Sequence, residues 1–172
     1  MAQQPAHVET IRAVDGFVKS VADFDHVQTQ GVNAWSGWYA KLGTSIALIA
    51  AGDTVVYAHA IYRYPETTAT LIVFTEKSVI IHSTDDVEAK TPPVVTVVAR
   101  NSLTNFTLSS SEGLTKGDAH PHTWPGRLEL SLTYPALADP IQVSADGWTP
   151  EVSDEPSALA KLVKSLGEDL AS

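Results

Sequence analysis

The sequence predicts an α+β protein: N-terminal helices, then six or seven antiparallel strands, then one closing helix. Three observations lead there. Apolar residues recur in steps of three and four near both ends of the chain, the spacing of one helical face. Between residues 53 and 144 the apolar residues fall into short β-branched and aromatic runs separated by turn residues. No helical pattern interrupts those runs, so the strands are joined by turns and βαβ units are not expected.

The elements follow in order. From His7 to Phe24, Val8, Ile11, Val14, Phe17, Val18, Val21 and Phe24 make one apolar stripe, and Gly16 weakens that helix. Asp25 to Asn33 reads as a linker. In AWSGWYAKLGTSIALIAAG, Trp38, Leu42, Ile46 and Ile49 keep helical spacing, and Gly52 is placed to stop a helix ending near Ala51. Asp53 to Tyr64 alternates as a strand, and Pro65, Glu66 and Thr67 turn the chain.

Thr68 to Ser83 is the centre of the pattern. Leu71 to Phe74 and Val79 to Ile81 are unbroken apolar runs around the polar turn Thr75 to Ser78. Consecutive apolar residues point to both faces of a strand, so both faces should be covered. Pro93 to Arg100 has the same character at Val94, Val95, Val97 and Val98. The three-residue step from Leu103 to Phe106 breaks period two and marks a kink or bulge near Asn101 to Thr104, before a strand to Ser109. Ser110 to Gly126 is a long loop. Arg127 to Tyr134 alternates cleanly, with Leu128, Leu130, Leu132 and Tyr134 facing in, and Ile141 to Ser144 is a short last strand. Leu159, Leu162, Val163, Leu166 and Leu170 form the stripe of the terminal helix, with Ser153 or Asp154 as cap and Pro156 in the first turn.

With those segments in hand, the run from Gly52 to Leu170 resembles a bacterial pleckstrin-homology-like (PH-like) domain. GDTVVYAHAIYRY and TATLIVFTEKSVIIH resemble the opening strand and first hairpin of such domains, VVTVVARNSLTNFTLSS their kinked middle strands, and RLELSLTYP with SALAKLVKSLGEDL their late strand and capping helix. The resemblance covers about 120 of 172 residues and implies a bent antiparallel barrel plugged by the last helix. It divides the chain into a helical extension, 1–51, and a PH-like domain, 52–172. Some family members bind phosphoinositides through basic residues around the first hairpin. The corresponding RYPETT has Arg63 alone, opposed by Glu66, which favours protein contacts over lipid. A cystatin-like cone and a helix-grip fold are the competing architectures, and either implies a ligand cup.

Charge narrows the function. The net charge is -9, of which residues 52–172 carry -8, so phosphate backbones and anionic lipid head groups are repelled. Neither nucleic acid nor membrane is an expected partner. There is no cysteine, which excludes disulfides, thiolate metal sites and a cysteine nucleophile. Residues 1–25 lack an apolar core behind a basic start, so no signal peptide is expected, and a cytoplasmic location follows.

Catalytic motifs are absent: no GxSxG, no glycine-rich phosphate loop, no HExxH. Asp118, His120 and His122 beside Trp124 have the donor types of a metal site, but a lone His-x-His in a loop is common by chance, and no metal or cofactor is expected. His59 and His82 read as surface or half-buried strand residues. The aromatic cluster Trp35, Trp38 and Tyr39, the pair Arg63 and Tyr64, and the loop residues His120, His122 and Trp124 are the candidate partner-binding residues, because Trp, Tyr and Arg dominate interface anchors. The expectation is a non-enzymatic protein-interaction or self-assembly module, with a protein or a second copy as partner. A small-ligand or lipid cup is the alternative, and an enzyme with an unrecognised site the third.

Overall fold

The computed structural model describes residues 6–19, 33–50, 52–63, 68–85, 94–110, 127–146 and 158–171, with backbone alone at 6, 17–19, 33–40, 62–63 and 145–146. These residues form three α-helices and seven strands: α1 (Ala6–Lys19), α2 (Asn33–Ile49), β1 (Val55–Arg63), β2 (Thr68–Thr75), β3 (Ser78–Thr84), β4 (Val94–Ala99), β5 (Asn105–Ser110), β6 (Arg127–Thr133), β7 (Ile141–Asp146) and α3 (Ala158–Ala171). The strands make two antiparallel sheets, β1-β2-β3-β4 and β5-β6-β7. The architecture is therefore α+β with a C-terminal helix, as the sequence predicts. No ladder among the described residues joins the two sheets into a closed barrel. The chain divides into two compact units, Met1–Arg100 and Asn101–Ser172.

In the first unit, β2 and β3 are the dry interior. In β2, Leu71, Ile72, Val73 and Phe74 are all buried although they alternate between faces. On the helix-facing side, Ala58, Ala60, Ala69, Leu71, Val73 and Ile80 pack with Val14 of α1 and with Leu42, Ile46 and Ala50 beside them. Three of those sheet residues are alanines, which lets the helices lie close to the strands. The helices also approach each other closely. A Cβ added at Gly43 would meet Ile11 Cδ1 at 3.8 Å.

On the opposite side, the strand registers place Tyr57, Phe74, Val79 and Val98 in one row. All four are buried. Tyr57 sits with its ring 6.2 Å from Phe74 and stacked 6.4 Å from His59.

α2 passes to β1 through a tight turn. Ala50 N–H donates to Ile46 C=O at 2.8 Å, Asp53 N–H donates to Ala50 C=O at 2.8 Å, and Gly52 holds φ +82°, where a Cβ would be strained. The buried stripe of α2 runs Leu42, Ile46, Ala50, in steps of four. Ile49 is 41% exposed, contrary to its place in the expected stripe. Alanine and isoleucine both count as apolar in a period, so the pattern alone did not choose between them.

In the second unit, β6 separates a dry face from a wet one. Leu128, Leu130 and Leu132 stand opposite Ala145, Val143 and Ile141. On the wet face Gln142 Nε2 donates to Ser131 Oγ at 2.8 Å and Arg127 Nη2 to Ser144 Oγ at 3.0 Å. The expected kink is a 3-10 turn, Arg100–Ser102. α3 buries Leu159, Leu162 and Leu166, while Leu170 is 41% exposed. The cap residues Ser153, Asp154 and Pro156, and the 111–126 stretch of the long loop, lie outside the described residues.

The stripe of α3 makes a measurable claim. Leu162 is 0% exposed, whereas Lys164 lies on the exposed side. Leu162→Ala should lower the unfolding free energy by about 2–5 kcal/mol, and Lys164→Ala by less than about 0.5 kcal/mol. Urea titrations of both variants test this. Equal, small effects would mean that α3 is not a structural element of its unit.

Candidate functional site

Two features of the first unit stand out: a polar corner at one end of its sheet, and the outer strand β4. The corner gathers three chain segments. Thr75, fully buried at the end of β2, accepts the Ser78 N–H at 2.8 Å and the Lys77 N–H at 3.3 Å on Oγ1, and donates that hydroxyl to Ser78 C=O. This threonine therefore closes the β2–β3 turn. Asp53, just before β1, accepts Thr54 N–H and Lys77 N–H on its two carboxylate oxygens, at 3.0 and 3.2 Å. Glu76 N–H donates to Thr54 C=O. Arg100, at the exit of β4, is buried. It donates Nη1 to Thr75 C=O at 3.2 Å and its backbone N–H to Lys77 C=O at 2.8 Å.

Among the described residues, β4 is the last strand of its sheet, hydrogen-bonded to β3 on one side. Val94 is 71% exposed and Val97 46%. The sequence predicts a strand here with apolar residues on both faces; among the described residues that strand stands at an edge of its sheet. Period-two reasoning cannot distinguish a central strand from an outer one, because both carry β-branched residues.

A cleft of about 320 Å³ lies between α1 and the entry to β1, lined by Glu9, Thr10, Ala13, Gly52, Asp53, Thr54 and Val55. Its lining mixes polar and apolar groups in similar measure, and Asp53 already uses both oxygens in backbone hydrogen bonds.

The two strand histidines are buried, not surface or half-buried: His59 is 3% exposed and His82 1%. They occupy opposite faces of the sheet. His59 stands opposite Ile72, and His82 lies between Leu71 and Val95 on the helix-facing side. Burial pushes the His82 pKa from 6.5 down to about 4, partly opposed by a backbone hydrogen bond. Burial likewise pushes the Tyr57 phenol up to about 12.

The expected partner-binding residues are distributed as follows. Trp35, Trp38 and Tyr39 lie on α2, and Arg63 ends β1 opposite Thr68; their side chains are outside those described. Tyr64, His120, His122 and Trp124 lie wholly outside the described residues, as does Asp118. Among the described residues, no three His, Asp or Glu side chains form a group able to hold a metal ion. No described helix is long and apolar enough to cross a membrane. The exposed edge of β4 was absent from the expected set. Its signal was the uncharged run Val94 to Ala99, directly after Pro92 and Pro93.

No family model matches the chain, and no curated protein sequence matches it. Among solved structures it is similar to the crystal structure of a pleckstrin homology domain from Shewanella amazonensis SB2B. The two share 14% sequence identity and a TM-score of 0.40, over 77% of this chain and 97% of that one.

The buried state of His82 has a pH signature. Its folded pKa lies below its unfolded value, so the unfolded chain binds the proton first. The stability that the neutral imidazole supports is complete above about pH 6.5 and is lost progressively as pH falls toward about 4. The gap between those values corresponds to a loss on the order of 3 kcal/mol. The difference in unfolding free energy between the wild type and His82→Leu should change by that order between pH 7 and pH 4, with the wild type losing more. A difference that stays constant with pH would show that the imidazole titrates normally.

Proposed function

We propose that this chain is a non-enzymatic protein-interaction or self-assembly module that binds by strand addition at β4. The observation that carries this reading is the outer position of β4 together with its exposed Val94 and Val97. An edge strand presents a row of backbone donors and acceptors that an extended chain satisfies, while alternate side-chain positions supply specificity. The six residues Val94–Ala99 carry no charge, so an incoming strand meets no ionic group within β4. The overall charge of -9 disfavours nucleic acid and anionic lipid as ligands.

Selection from a random octapeptide library tests the reading. Peptides selected on the wild type should bind with micromolar Kd and lose at least tenfold in affinity to Val97→Lys, whose far-UV circular dichroism should be unchanged. Selection yielding no binder, in a protein that is also monomeric at every concentration, would overturn it.

A further inference from the structure

We infer that the occupant of β4 is the β4 of a second copy of this chain, paired antiparallel about a two-fold axis at Thr96. This rests on the reading of β4 as a binding edge, and goes further by naming the partner and the register.

The outer strands differ in what they carry. β1 is interrupted by a bulge between Val55 and Tyr57. β5, NFTLSS, is mostly polar, and β7 ends on Asp146 after Gln142. Bulges and polar or charged residues are the usual means by which sheet edges avoid pairing with other chains. β4, VVTVVA, has no bulge and no charged residue, Thr96 being its one polar side chain, and its register with β3 runs without a shift from Ser83↔Val94 to Ser78↔Ala99.

The sequence of β4 then selects its partner. Val94-Val95-Thr96-Val97-Val98 reads the same in both directions. Two copies laid antiparallel about Thr96 place Thr96 opposite Thr96, Val95 opposite Val97 and Val94 opposite Val98. Opposed residues in an antiparallel ladder must share a face. These pairs do: Val95 and Val97 lie on the Leu71 and Val73 side, Val94, Thr96 and Val98 on the Phe74 side. The two most exposed valines of the strand, at 71% and 46%, each gain a β-branched neighbour, and the two threonine hydroxyls meet at the axis. The product is one continuous sheet of two four-stranded halves.

Charge sets the conditions. Each copy carries -9, and none of that charge lies within residues 94–99. Repulsion therefore acts at a distance, where salt screens it over roughly 10 Å at 0.1 M. Salt should favour the dimer.

Sedimentation velocity from 5 to 500 µM protein, at low and high sodium chloride, measures this. The expected result is a monomer–dimer equilibrium that shifts toward dimer with concentration and salt. Thr96→Lys should weaken it at least tenfold, by placing two ammonium groups across the axis. The chain has no cysteine, so Thr96→Cys supplies a second readout that does not depend on how Thr96→Lys folds. Paired strands hold opposed Cα atoms about 4.5–5.5 Å apart, within disulfide reach. Thr96→Cys should cross-link on mild oxidation, whereas Ser109→Cys on exposed β5 should not. A wild type that stays monomeric, or a dimer indifferent to Thr96→Lys and not cross-linked by Thr96→Cys, overturns the inference. If that monomer still binds selected peptides at β4, the interaction module survives and self-pairing alone is lost; if it binds none, both are lost.

Discussion

Val73 and Phe74 are neighbours on one strand, point to opposite sides of one sheet, and are both 0% exposed. That is the constraint from which the first unit is built. A strand dry on both faces needs a layer on each, and on the Val73 side the layer is helical. α1 and α2 precede the sheet in sequence and must be returned onto it. The return is made by Gly52, whose positive φ turns the chain from α2 into β1 within a few residues. The alanines at 58, 60 and 69 complete the fit by removing side-chain bulk where the helices approach. Larger residues there would lift the helices off Leu71 and Ile80 and open voids that close packing does not tolerate.

The polar corner solves the complementary problem. A sheet with a dry interior still has ends, where turns carry backbone groups that require partners. Thr75, Asp53 and Arg100 supply them from three separate segments. A buried guanidinium is expensive to desolvate, and it persists only where carbonyls or carboxylates receive its N–H groups. Here the Thr75 carbonyl is one such receiver, and the Arg100 N–H simultaneously ties the exit of β4 to the β2–β3 turn. The corner thus aligns β4 with β3 up to its last residue.

Much of this was legible in the sequence because periodicity reports one physical fact, which side of an element is dry. The central hairpin, the alternation of β6 and the stripe of α3 follow directly from it. The break in period two between Leu103 and Phe106 marked the place where the 3-10 turn lies. What periodicity does not report is how many neighbours a strand has. Nothing in the valines of β4 therefore distinguished an outer strand from a central one. The histidines misled for a related reason. Polar residue type suggests exposure, but His59 and His82 stand in registers whose neighbours are Ile72, Leu71 and Val95, and the sheet buries them with those neighbours. Aromatic and basic residues marked as interface anchors came from composition alone.

An open edge invites unlimited growth, and the arrangement of this sheet bears on why pairing would stop. A six-residue strand spans roughly 20 Å, and a seam of that size belongs with small, reversible interfaces. Antiparallel pairing of β4 with its own copy is isologous, so forming one contact uses the same edge on both molecules. Growth would then have to proceed from β1, the other outer strand of the same sheet. That strand carries the bulge between Val55 and Tyr57, which interrupts the regular spacing of donors and acceptors an incoming strand needs. One edge is regular, uncharged and self-complementary; the other is irregular. Were β4 to pair with its own copy, that asymmetry would close the association at two copies, and the net charge of -9 would oppose further growth.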